Sequence, residues 1–160
     1  MLKILIAVDG SDLSLDAVHH TLALLRQGLQ AQVVLAHAGA GHAVRDGGLA
    51  RSRAHRRRQP EAGQHLMASA RALIEAAGVP YATEVAVGDV AHTLVDIAER
   101  HGVGMVVIGA RGQGAIASAL LGSVSQELVQ ASPVPVTIVK HADAETCRRR
   151  RWPEDDDELV

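Results

Sequence analysis

The residues best suited to chemistry fall in one stretch. It reads Gly109-Ala110-Arg111-Gly112-Gln113-Gly114 and, after the nine residues that follow Gly112, Gly122-Ser123-Val124-Ser125. Gly109 and Gly112 lack a Cβ, so the backbone can turn tightly there and reach φ > 0. Amides exposed in such a turn make a concavity for anions. Gly122, Ser123 and Ser125 fall near the start of a helix, where amides and hydroxyls bind phosphate. Arg111 can bring a cation to a phosphate chain. Together these residues read as a polyphosphate cradle. The same glycines also suit a plain strand-to-helix turn, and with 15 glycines in the chain short glycine patterns arise easily. No Lys follows Gly112 or Gly114, so the pattern is not a P-loop.

These residues need a frame, and the sequence supplies one. Five short aliphatic runs alternate with helical segments. The strands are read at Leu2–Val8, Gln32–His37, about Tyr81–Val87, Gly104–Ile108 and Val134–Val139. Ser11 or Asp12 caps a first helix that runs to about Gln27, with Leu15, Val18, Leu22 and Leu25 at helical spacing. Further helices are read over about Glu61–Ala77, from behind Asp89 to His101, and over about Ser118–Gln130. Strands alternating with helices predict an α/β fold with a doubly wound parallel sheet between two helical layers. Ligands in such folds bind beyond the carboxyl ends of the strands, where strand order reverses.

Composition narrows the function. The chain has 160 residues, 48% of them hydrophobic, yet no Phe, one Trp (Trp152) and one Tyr (Tyr81). The core must be aliphatic, which excludes aromatic cages and base-stacking platforms. The net charge of −2 does not suit a globally basic nucleic-acid binder. No apolar run is long enough to span a bilayer, and Met1–Asp9 reads as a strand rather than a signal peptide. Cys147 is the single cysteine, so no intrachain disulfide can form, and a reducing cytoplasm is the expected setting.

The spacing Gly109-x-x-Gly112, nine residues, Gly122-Ser123 resembles the ATP-binding signature of the universal stress protein family. The opening Ile6-Ala7-Val8-Asp9-Gly10-Ser11 and the closing Pro133-Val134-Pro135-Val136-Thr137-Ile138-Val139 resemble the family's first and last strands. The resemblance runs from about Met1 to Lys140. It implies an adenine nucleotide alpha hydrolase-like fold of strand order 3-2-1-4-5 over 1–141. It also implies an ATP-binding, dimeric regulatory module of the stress response. Asp9 would then contact a ribose hydroxyl, Ala7 line the base pocket, and the Ala38 backbone meet the adenine edge. Gly109 and Gly112 would hold ribose and phosphates, and Gly122, Ser123, Val124 and Ser125 would close over the phosphates. Mg²⁺ would accompany ATP through the phosphates, without a named protein ligand. The resemblance further implies a homodimer paired through the edge strand Val134–Val139, and a protein partner that the sequence leaves unnamed.

Other candidates carry less. The nine His include no His-x-x-x-His pair with a nearby Glu, so no metal or catalytic site is read from them; His37 stands apart by its place beside the proposed adenine edge. Asp12 reads as a helix cap and Asp16 as a solvent-facing acid. Ser123 and Ser125 lack a nucleophile elbow and read as phosphate-contacting or capping hydroxyls. With no well-placed general base, catalysis is limited to slow ATP hydrolysis or autophosphorylation. The alternative is an ATP-consuming enzyme on the same fold. Residues 39–60 form a Gly- and Arg-rich connection, with six Arg between Arg45 and Arg58, read as a flexible loop. Residues 142–160 form a charged tail, read as disordered.

Overall fold

A computed structural model describes residues 1–40, 62–111 and 121–140. Within them the elements run β1 (Leu2–Ala7), α1 (Asp12–Arg26), β2 (Ala31–Ala40), α2 (Ala68–Ala76), β3 (Tyr81–Gly88), α3 (Val90–His101), β4 (Met105–Gly109), α4 (Ser123–Ala131) and β5 (Val136–Val139). The sheet is parallel, in the order β3-β2-β1-β4-β5, as the resemblance implies. The chain builds outward from β1 in one direction and then, from β4, in the other. The reversal lies between β1 and β4, where a crevice opens beyond the strand ends.

Alternation along the central strands divides the aliphatic residues between two faces. Ile4, Ile6, Val33, Leu35 and Val107 pack with Val18 and Leu22 of α1 and Ile74 of α2. Leu5, Val34, Ala36 and Val106 pack with Leu94 and Ile97 of α3 and Leu128 of α4. The central strands are thus buried on both sides, which is why they read as continuous apolar runs. Local signals fix the helix ends. Ser11 accepts from the Ser14 amide at 3.2 Å to cap α1, and Asp89 accepts from the His92 amide at 3.1 Å to cap α3. Gly28, Gly78 and Gly102 follow α1, α2 and α3 with φ of 104°, 67° and 61°. Among the described residues no helix is long and apolar enough to cross a membrane.

Four boundaries differ from the sequence reading by more than one residue. β2 runs on to Ala40, paired with β3 from Ala38↔Ala86 to Ala40↔Gly88, so Gly39 and Ala40 belong to the strand and not to the connection. The helix expected over Glu61–Ala77 is interrupted: 62–66 is helical, Met67 turns, and α2 follows. α4 begins at Ser123, because Gly122 is extended (φ −75°, ψ 159°), and 118–120 lie outside the described residues. β5 begins at Val136. Its approach is taken up by a local turn in which the Val134 amide donates to Ser132 Oγ at 3.2 Å, and Pro135 has no amide to offer. The Arg-rich run and the tail also lie outside the described residues.

Candidate functional site

A cleft of about 670 Å³ lies over the carboxyl ends of β1, β2 and β4. That volume is in the range of small-molecule sites, roughly 300–1,000 Å³. Nine residues expected from the sequence line it: Ala7, Asp9, Ala38, Gly109, Arg111, Gly122, Ser123, Val124 and Ser125. The tenth, Gly112, lies outside the described residues. The cleft is also lined by Ser14, Ala36, His37, Leu66, Val90, Leu94, Ile108 and Leu121, which motif reading did not assign to a site. Leu94 and Ile108 read as plain core in one dimension. Only the placement of α3 against the sheet turns part of that core into a wall.

The polar rim begins where β1 ends. Gly10, with φ of 81°, swings the chain from strand to helix. The Asp9 carboxylate accepts from the Ser11 amide at 3.0 Å and from Ser11 Oγ at 2.6 Å. Ser11 Oγ in turn takes the Ser14 amide, and the buried Ser14 hydroxyl donates to Ser11 O at 2.7 Å. Asp9 is thereby held at the positive end of α1, with its orientation set by the turn that starts the helix.

The second rim is the start of α4. The Gly122 amide donates to Ala110 O at 2.7 Å, and the Ala110 amide donates to Val139 O at 2.7 Å. Ser125 is 2% exposed, with Oγ 3.0 Å from Ala110 O and 2.8 Å from Gly122 O. These bonds pin the helix start to the end of β4. The first α4 amide engaged within the helix is Gln126, on Gly122 O at 3.1 Å. The amides of Ser123, Val124 and Ser125 precede it and have no intrahelical partner. Amides so placed can bind an anion at the edge of the cleft.

The structure bears on three of these expectations. Gly109 does not use the left-handed region; it is small because a Cβ would lie 2.7 Å from Leu13 O and 2.9 Å from Leu13 C. Its missing side chain admits the first turn of α1. Gly122 spends its amide on Ala110, so it shapes the α4 start and offers no free N–H to a phosphate. Ser125 Oγ spends its proton on carbonyls, which leaves it a capping hydroxyl.

Outside the cleft, Asp89, His92 and Glu127 bring one ligand atom each within 4.8 Å of one another on an exposed surface. Asp89 Oδ1 already accepts from the His92 amide and, at 2.8 Å, from His92 Nδ1. The backbone hydrogen bond, and then the ring contact, hold the Asp89 carboxyl below its ordinary range. The same ring contact raises His92 above the ordinary imidazole value. Asp89 and His92 thus form the cap of α3, and Glu127 of α4 lies 3.7 Å from His92 Nδ1.

An aliphatic, doubly wound α/β domain with an amide-edged cleft at its switch point belongs to the class of open α/β-sheet folds, in which that position is where ligands generally bind. This chain belongs to the universal stress protein family, whose model matches residues 1–140. It is 31% identical over 146 residues to the universal stress protein YxiE of Bacillus subtilis, covering 86% of this chain and 98% of that protein. Among solved structures, a universal stress protein in complex with cAMP superposes with a TM-score of 0.63 at 25% identity, over 88% of this chain and 98% of that one. An Arabidopsis thaliana family member with AMP bound superposes with a TM-score of 0.65 at 20% identity, over 91% of this chain and 95% of that one.

Proposed function

We propose that this chain is an ATP-binding regulatory module that works as a homodimer. The observation that carries the reading is the composition of the cleft. Its lining combines aliphatic side chains with the first amides of α4, which have no partner within the helix, the Arg111 side chain and the oriented Asp9 carboxylate. Ala7, Ala36, Ala38, Val90 and Leu94 suit a purine, which slots between small aliphatic walls without aromatic stacking. Asp9 suits a ribose hydroxyl, as a carboxylate accepts two donors in fixed geometry. Arg111 and the amides of Ser123 and Val124 suit a phosphate chain. AMP and cAMP, bound in two solved relatives, share the adenosine portion of ATP. Mg²⁺ fits the site as a companion of the phosphates, since it keeps most of its water and needs few protein oxygens.

The output of such a module is a nucleotide-dependent change in what it binds, in a reducing, ATP-rich compartment, the cytoplasm. β5 ends the sheet, and an apolar edge of that kind favours pairing with a second copy. If phosphate were transferred to the protein itself, the exposed Ser123 suits it better than the buried Ser125. The test is calorimetric titration of the purified chain with ATP and Mg²⁺. Binding tighter than about 1 mM is expected, weakened by Asp9→Ala; no heat at that level removes the reading. Turnover above about one per second would favour an enzyme instead.

A further inference from the structure

We propose that His37 is a positioning residue that ends the β1–β2 ladder one bond early and so frees the Ala38 backbone for a ligand. In a parallel sheet the N–H and C=O of one residue face the same neighbouring strand, and alternate residues face opposite neighbours. Ala36 O accepts from the Val8 amide at 2.8 Å, so Ala36 faces β1, and by alternation so does Ala38. Continuing the ladder would join the Ala38 N–H to Val8 O. Val8 O instead accepts from His37 Nδ1 at 2.7 Å. A side chain has replaced a main-chain donor. β1 then leaves the sheet through Gly10, and the Ala38 N–H and C=O face the cleft that Ala38 lines.

The ring is well placed for this task. His37 is only 9% exposed. A Cβ on Gly63 would lie 2.8 Å from His37 Cδ2 and 2.6 Å from Val85 Cγ1, so the helical turn at 62–66 clamps the ring against the strand. Facing a carbonyl, Nδ1 carries the proton, which fixes the tautomer. The freed pair is one donor beside one acceptor. It matches a purine edge that offers an acceptor beside an amino group, as in adenine, and mismatches a 6-oxo purine, whose ring nitrogen carries a proton.

The nucleotide part of this inference rests on the proposed ATP site, and two measurements keep the two apart. The first is amide exchange of the ligand-free protein by NMR. The Ala38 amide should exchange fast beside protected strand neighbours. In His37→Leu it should become protected as it takes over Val8 O; in His37→Asn, whose amide reproduces the Nδ1 donor, it should stay fast. A protected Ala38 amide in the unmodified chain overturns the proposal, whether or not the variants fold. The second is titration with ATP and with inosine triphosphate. A preference for ATP of at least about tenfold is expected, falling to within about threefold in His37→Leu and retained in His37→Asn. If His37→Leu weakens both nucleotides equally, His37 is only a prop and the proposal fails. If the unmodified chain binds neither nucleotide, the ATP reading fails, and amide exchange alone decides the role of His37.

Discussion

The two signature glycines that the structure describes do different work, and alanine substitution separates them. At Gly109 an added Cβ would sit 2.7 Å from Leu13 O, 2.9 Å from Leu13 C and 3.2 Å from Leu13 Cβ. Two of these are backbone atoms of the first turn of α1, which Ser11 and Asp9 also anchor, so no flexible side-chain end can move aside. The clash must be relieved by shifting α1 from β4, an overpacking cost of about 1–3 kcal/mol. For a domain of this size each kcal/mol moves Tm by about 2–4 °C, so Gly109→Ala should melt about 2–12 °C lower. At Gly122 the added Cβ would meet Arg111 Cα at 3.4 Å and Ala110 O at 3.5 Å, at a φ of −75° that any residue adopts. Gly122→Ala should therefore stay within about 0.5 kcal/mol of the unmodified chain. Thermal unfolding of the three proteins by circular dichroism reads the difference. Equal Tm values for Gly109→Ala and the unmodified chain, or an equal fall in both variants, would refute the assignment of Gly109 to helix packing.

Two further outcomes follow from the hydrogen bonds. Ser125→Ala removes the buried donor shared by Ala110 O and Gly122 O, and should cost about 1–3 kcal/mol by urea unfolding while leaving the helix content unchanged. The Asp89–His92 cap should respond to pH from both sides. Asp89 lies below its ordinary 3.8, so its contribution is present above that value and lost as pH falls through the lower folded value. His92 lies above its ordinary 6.5, so its contribution is present below that value and lost as pH rises through the raised one. An NMR titration should find His92 titrating above 6.5, and falling toward it in Asp89→Asn.

Much of the frame was legible because its signals are local. Leu15, Val18 and Leu22 recur at helical spacing, Ser11, one of the two candidates, caps α1 while Asp12 falls in its first turn, and Gly28, Gly78 and Gly102 stop the helices. The boundaries that moved did so for reasons that spacing does not carry. β2 extends through Gly39 and Ala40 because β3 is there to pair with them. β5 starts late because Ser132 captures the Val134 amide.

The same division holds for the site. Residue types marked Arg111 and the Ser123–Ser125 run, the family resemblance implied Asp9 and Ala38, and those positions share one cleft because each lies near the carboxyl end of a strand or at the start of a helix at the same edge of the sheet. What each residue does there depends on neighbours distant in the chain. Gly109 answers to Leu13, Gly122 to Ala110, and His37 to Val8. The sequence by itself determined the class of fold, which follows from periodicity and turn chemistry, and a family resemblance, which implied Asp9 and Ala38 as site residues. Only the tertiary structure decided which amides stay unpaired and which glycines exist for packing, because a hydrogen bond or a steric contact is a property of two segments and is written in neither alone.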